Sequence, residues 1–246
     1  MKIGGSILTD KSSPGAARLE EIERVAEEIA LMPEGLVLVH GAGSFGHIPA
    51  KRHGLPERFS PEGLLETHRS VVRLNDLVVE ALGRAGVAPI PVHPLSCTLL
   101  RSGRIEHLSI EPLVEMLREG MMPVLHGDVA MDAVRRAGIV SGDQLVTYLA
   151  RALRAEIVAV GSDVEGVLLS GRAMREITRS DLGLIDGALG GSAGVDVTGG
   201  MRRKLLELLD LADDGFSSVI FDASKEGNII AALRGDHVGT LIRRMN

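Results

Sequence analysis

The chain has 246 residues, 45% of them hydrophobic, a formal net charge of −6 and one cysteine. That length and apolar content exclude a disordered polymer and give a globular fold whose core, with aromatics at 2%, is aliphatic. The acidic balance argues against a nucleic-acid partner, lone Cys97 rules out an intramolecular disulfide, and no apolar run approaches the ~18 residues a membrane span needs. A cytoplasmic protein is the expectation.

Met1 to Ile3 reads as the end of a short strand that runs into Gly4-Gly5-Ser6, with Thr9-Asp10-Lys11-Ser12 following. Only Met1 precedes Lys2, so the first strand is expected to be brief. Arg18 to Leu31 has Leu19, Ile22, Val25, Ala26 and Ile29 at helical spacing. Leu36 to Val39 is a buried strand, after which Gly41, Gly43 and Gly46 free the backbone at three points and His47 closes a loop. Such a loop can aim several N–H groups at one anion, and a phosphate is the reading. The stretch also fits G-x-G-x-x-G, but a dinucleotide site needs a second strand ending in an acid ~20 residues on. Ile48 to Ser60, with Pro49, Gly54 and Pro56, shows no such strand. A plain tight turn is the third possibility.

Ser60 and Pro61 start a helix that runs to about Ala85 and stops at Gly86, with Leu64, Val71, Leu74, Val78 and Leu82 as its stripe. His68 and Arg69 on it read as solvated. Val87 to Val92 carries two prolines and predicts an edge strand. Ser109 to Gly120 is a short helix, and Met122 to His126 a strand ending in Gly127-Asp128. Ser141-Gly142-Asp143 caps a helix to about Arg154. Ile157 to Val160 is a buried strand that feeds the polar loop Gly161 to Val167. Gly187 to Gly200 is a glycine-rich loop that opens a helix, Arg202 to Ala212, with Lys204 in its first turn: an anion site by geometry. Val219 to Phe221, Asn228 to Leu233 and Gly239 to Arg243 complete a β-then-α alternation. The alternation predicts an α/β fold, a mainly parallel open sheet with helices on both faces.

Strand ends in such a sheet share one edge, where ligands bind. Of the 27 basic residues only five are lysines, Lys2, Lys11, Lys51, Lys204 and Lys225, so a retained lysine marks a place for a compact ammonium. There is no Ser-His-Asp set, no cysteine nucleophile and no metal spacing among the scattered histidines. Several phosphates in a line fit these loops best, as phosphoryl transfer requires. Neither a P-loop nor the protein-kinase signatures are present.

Lys2-Ile3-Gly4-Gly5-Ser6, Gly41-Ala42-Gly43, Gly127-Asp128, Ser141-Gly142-Asp143, Ser162-Asp163-Val164-Glu165-Gly166-Val167 and Asp196-Val197-Thr198-Gly199-Gly200-Met201 resemble the amino-acid kinase superfamily, in order and over the whole chain. Gly43-Ser44-Phe45-Gly46-His47 narrows the resemblance to isopentenyl phosphate kinases, which make isopentenyl diphosphate from isopentenyl phosphate with ATP and Mg²⁺. The resemblance implies a three-layer αβα sandwich with one continuous sheet and a place in the archaeal-type mevalonate route. It also implies an acceptor lobe over residues 1–150, a nucleotide lobe over 151–246, and a homodimer.

By the same resemblance Lys2, Lys11 and Lys204 contact the ATP phosphates, with Lys11 stabilising the transferring group. Gly4, Gly5, Ser6, Gly43, Ser162, Asp163, Gly166 and Gly200 line the nucleotide, and Ala42, His47 and Gly142 hold the acceptor phosphate. Asp143 orients the lysines or the glycine loop; no protein metal ligand is implied. Ser162 and Glu165 stand where Thr and Asp are usual, and His126 where Tyr is common. The alternatives are a fosfomycin-, acetylglutamate- or carbamate-type kinase, or a non-catalytic nucleotide-binding regulator. His47 suits a phosphate or phosphonate better than a carboxylate.

Overall fold

The computed structural model describes residues 1–10, 13, 15–169, 171–185 and 199–245. The first half contains β1 (Lys2–Ile3), α1 (Gly5–Leu8), α2 (Leu19–Ala30), β2 (Leu38–His40), α3 (Gly43–Arg52), α4 (Pro61–Arg84), β3 (Pro89–Val92), α5 (Pro94–Cys97), β4 (Thr98–Arg101) and β5 (Arg104–Leu108). Then come α6 (Glu111–Arg118), β6 (Met122–His126), β7 (Asp128–Asp132), β8 (Arg136–Val140), α7 (Gly142–Leu153), β9 (Val158–Ser162), β10 (Leu168–Leu169), β11 (Arg172–Ala173) and β12 (Glu176–Ile177). The last described elements are α8 (Gly199–Asp213), β13 (Ser218–Asp222), α9 (Asn228–Leu233) and β14 (Thr240–Ile242).

Eight strands form one sheet in the order β12-β14-β13-β9-β1-β2-β6-β3. Every pair is parallel except β13 with β14. Strand alternation sorts neighbours onto opposite faces. Leu38, Val124, Ala159 and Phe221 join α2, α4 and α9 in one core; Val39, Leu125, Val160 and Ile220 join α7 and α8 in the other. This is the expected αβα sandwich, with strands from both halves of the chain in one continuous sheet. Two expected caps are in place: Ser60 Oγ accepts from Gly63 N–H at 3.0 Å, and Ser141 Oγ from Gln144 N–H at 3.2 Å. Among the described residues no helix is long and apolar enough to cross a membrane.

Two expectations need correction. Gly43 to His47, read as the end of a phosphate loop, instead opens helix α3, which runs on through Pro49 to Arg52. Pro49 lacks an N–H for that turn, which weakened the helical signal; packing of Phe45 and Ala50 against the core overrides it. The other is a second, four-stranded sheet, β5-β4-β7-β8, over a region where no strands were expected. Ser102 and Gly103 take φ of 53° and 82° and make the tight turn between β4 and β5. Asp132 then accepts from the Ser102, Gly103, Val134 and Arg135 N–H groups, pinning two turns together. From this sheet Arg104 grips Glu207 of α8 with two hydrogen bonds, one turn beyond Lys204.

Candidate active site

The carboxyl ends of β1, β2, β6 and β9 open into one cavity of about 590 Å³. Its walls are the loops that the sequence singled out: Gly4-Gly5-Ser6, Gly41-Ala42-Gly43 with His47, Gly127-Asp128, Gly142-Asp143, Ser162-Asp163 and Gly200 with Lys204. Gly166 is not on this wall; its Cα faces Thr240, and a Cβ there would lie 2.3 Å from Thr240 Oγ1. Lys11 and the loop over 187–198 lie outside the described residues.

The loops approach backbone to backbone. A Cβ on Gly5 would lie 2.4 Å from Gly43 N, and one on Gly41 2.5 Å from Gly5 N. Only glycine permits that separation. The approach brings the N-terminus of α3 beside the loop after β1, with the Gly43 and Phe45 amides in its first turn, where backbone donors lack intrahelical partners. Ser44 Oγ is buried and without a partner among the described residues, and it too is on the cavity wall. His47, a turn further on, is exposed to the cavity.

The charged centre is Asp143 in the first turn of α7. Its Oδ1 is 2.9 Å from Lys2 Nζ and 3.1 Å from Lys204 Nζ, and both lysines are buried. Burial alone would raise the carboxyl; the two ammonium charges outweigh it and hold the group at about 2. Lys204 is pulled down to about 8, first by burial and then by the like charge of Lys2, against the attraction of Asp143. The cluster is one carboxylate short of balancing its two cations, and an anion in the cavity would complete it. Among the described residues no group of three or more His, Cys, Asp or Glu is arranged to hold a metal.

The sequence missed a group behind the cavity. His40 and His126 occupy the same register on neighbouring strands and stack with centroids 5.7 Å apart. His126, pushed to about 3 chiefly by burial, is neutral; Nδ1–H donates to Gly127 O at 3.2 Å, so Nε2 accepts from His93 Nδ1–H at 2.9 Å. His68, expected in solvent, instead bonds Asp128 Oδ2 at 2.9 Å, which raises its pKa. The available signal was the repeat of an apolar strand closed by His-Gly, at 38–41 and 124–127.

Comparison with known proteins bears on the family and the fold. The model of the amino acid kinase family matches residues 1–222. The isopentenyl phosphate kinase of Methanothermobacter thermautotrophicus is 38% identical over 98% of this chain and 97% of its own, and that of Haloferax volcanii 41% identical over 99% and 97%. An X-ray structure of an isopentenyl phosphate kinase superposes with a TM-score of 0.85 at 34% identity, covering 98% of both chains. Matched along nearly its whole length, the chain belongs to the amino acid kinase family, in the branch formed by the isopentenyl phosphate kinases.

Proposed function

We propose that the protein transfers the γ-phosphoryl group of ATP to isopentenyl phosphate, giving isopentenyl diphosphate. The observation that carries this reading is the buried Lys2–Asp143–Lys204 cluster at the meeting of the glycine loops, with His47 lining the same cavity. Lys2 and Lys204, joined by Lys11, draw charge from the ATP phosphates, and Gly4, Gly5, Ser6, Ser162, Asp163 and Gly200 give the triphosphate close backbone approach. Lys11 stabilises the transferring group. Ala42, His47 and Gly142 hold the acceptor phosphate, whose oxygen is the nucleophile. A phosphomonoester has a second pKa of about 6, so no general base is required near neutral pH. The remaining obstacle is repulsion between two anions, which fixed cations relieve. With no acidic cage among the described residues, Mg²⁺ fits as an ion carried on the nucleotide phosphates, where it neutralises charge. The apolar tail lies between α3 and α4, against Ile48, Ala50, Val71, Val129 and Ile139. We assign the acceptor lobe to residues 1–150, the nucleotide lobe to 151–246, and a cytoplasmic homodimer as the working form.

The deciding test is ADP release with isopentenyl phosphate, fosfomycin and N-acetylglutamate offered separately. Turnover is expected with isopentenyl phosphate; turnover confined to either of the others overturns the assignment.

His47 acts as a hydrogen-bond donor that orients the acceptor oxygen. His47→Gln keeps an N–H at similar reach and retains substantial activity, whereas His47→Ala loses about 100-fold in kcat/KM. Equal losses in both, together with a pH–rate limb that disappears in His47→Gln, would instead favour proton transfer.

Nucleotide binding is expected to draw in a proton above neutrality. In the free protein Lys204 titrates near 8, below the ordinary lysine value, so its ionised form is a cost present below that pH and relieved as pH rises. Triphosphate reverses the sign of the local field and restores the charge. The uptake from Lys204 grows as pH rises above neutrality and fades towards acid pH, where the free protein already holds the proton. Calorimetry in buffers of different ionisation enthalpy measures it, and Lys204→Met should abolish it.

A further inference from the structure

Beyond the last rung of the β1–β2 ladder, Gly41 N–H to Ile3 O at 2.9 Å, the two loops that form the centre of the cavity carry no side chains where they touch. Thr9 supplies the link. Its Oγ1–H donates to Gly5 O at 2.8 Å, and the same Oγ1 accepts from Ser44 N–H at 3.2 Å. A carbonyl can only accept and an amide N–H can only donate, so the hydroxyl has one possible orientation and forms a polarised chain between the loops. Thr9 is fully buried and on the cavity wall. Its position is fixed twice more: its own N–H donates to Gly5 O at 2.9 Å, and Asp10 N–H, next in the chain, donates to Ala16 O at 3.0 Å.

Helix α3 needs this contact. Its own N-cap residue, Ala42, has no side chain able to satisfy the first-turn donors. The cap comes instead from the adjoining segment, the one that follows the Gly4-Gly5-Ser6 loop. Gly43, with φ of 51°, leaves room for it: a Cβ there would lie 2.1 Å from Thr9 Oγ1.

We infer that Thr9 is a positioning residue whose hydroxyl sets the spacing and angle between the nucleotide loop and the acceptor helix. The inference rests on the kinase reading of the cavity. Thr9 acts through the two loops it joins. It fixes Gly5 on the donor side relative to Ser44 and, a turn on, His47 on the acceptor side. In-line transfer depends on the relative placement of two bound anions more than on the affinity for either. A shift of about 1 Å between reacting groups is enough to cost about 100-fold in rate.

The test compares Thr9→Val, which keeps the shape and removes the hydroxyl, with Thr9→Ser, which keeps the hydroxyl. Thr9→Val should lower kcat by about 100-fold while each KM stays within about threefold, the pattern of an alignment felt in the transition state. Thr9→Ser should remain within about threefold of the wild type. Thr9→Ala, which adds no atoms to the core, replaces Thr9→Val if that variant does not fold. A kcat within about twofold of wild type in the hydroxyl-free variant overturns the inference, as does an equal fall in Thr9→Ser.

Amide hydrogen exchange supplies a second arm that needs no acceptor. Loss of the hydroxyl should speed exchange at Ser44 by about tenfold or more, and leave Gly46, whose N–H donates to Ala42 O at 3.2 Å, unchanged. Unchanged exchange at Ser44 overturns the bridge itself. A wild type that forms no product from isopentenyl phosphate, with Ser44 exchange responding as expected, overturns the functional reading and leaves the bridge standing.

Discussion

Asp143→Asn is expected to lower kcat by about 10²–10³-fold, the usual scale for one preorganised electrostatic contact in a dry site. The amide oxygen of the asparagine would still accept a hydrogen bond, but the variant leaves two buried ammonium groups with no carboxylate between them. Each is then held only by the nucleotide, so the lysines no longer stand ready before it arrives. Removing one partner of a buried ion pair costs about 3–5 kcal/mol in stability, because the remaining charge is uncompensated. The pH dependence gives a sharper check. Lys204 already sits near 8 in the presence of Asp143, and without it deprotonates at lower pH. The variant therefore sheds its excess charge before the wild type does, and the stability penalty shrinks as pH rises from 6 to 8. At the acid end the wild type loses the contribution of Asp143 as pH falls from the ordinary carboxyl value through about 2, and the variant has nothing to lose there. Denaturant titrations across this range measure both effects, and a penalty independent of pH would show that the carboxylate is not balancing the lysines.

Gly5→Ala is the second large effect. The added methyl would meet Gly43 N at 2.4 Å and Gly43 Cα at 2.6 Å, both main-chain atoms at the start of α3. Neither can rotate aside, so the loops must part. A separation of roughly 1 Å breaks the donor–acceptor alignment and is expected to lower kcat by about 100-fold. The comparison is Gly83→Ala in α4, where a Cβ meets nothing within 4 Å. That substitution should leave turnover unchanged and raise stability by about 0.8–1 kcal/mol, the ordinary gain from alanine in a helix. Steady-state kinetics with a thermal melt of each variant separates the two. Full activity in Gly5→Ala would mean that the loops tolerate a wider spacing.

The elements visible in the sequence were those whose information is local. The stripe of α4, its Ser60 cap and the Ser141 cap of α7 are set by residues three or four apart. The glycine loops announce themselves because a buried apolar strand followed by Gly-rich chain is an uncommon pairing of neighbours. Since βα units wind in one hand, those loops had to gather at one edge, and the cavity was legible in outline. The resemblance of the ordered motifs to the isopentenyl phosphate kinases added the chemistry.

Other features were decided by contacts between residues far apart in the chain. Nothing near Lys2 says that it shares an Asp143 oxygen with Lys204; three separate elements must dock before those atoms meet. Local propensity pointed away from a helix at Pro49, and burial of its apolar face reversed the outcome. His68 looked solvated on helical spacing, because the carboxylate that claims it lies on β7, part of a sheet the sequence did not reveal. Thr9 read as one polar residue in a loop, and only the close approach of Gly5 and Gly43 gives its hydroxyl two partners. Periodicity, caps and glycines act over a few residues and so can be read from sequence; burial, pKa shifts and cross-loop hydrogen bonds depend on what tertiary packing brings to the other side.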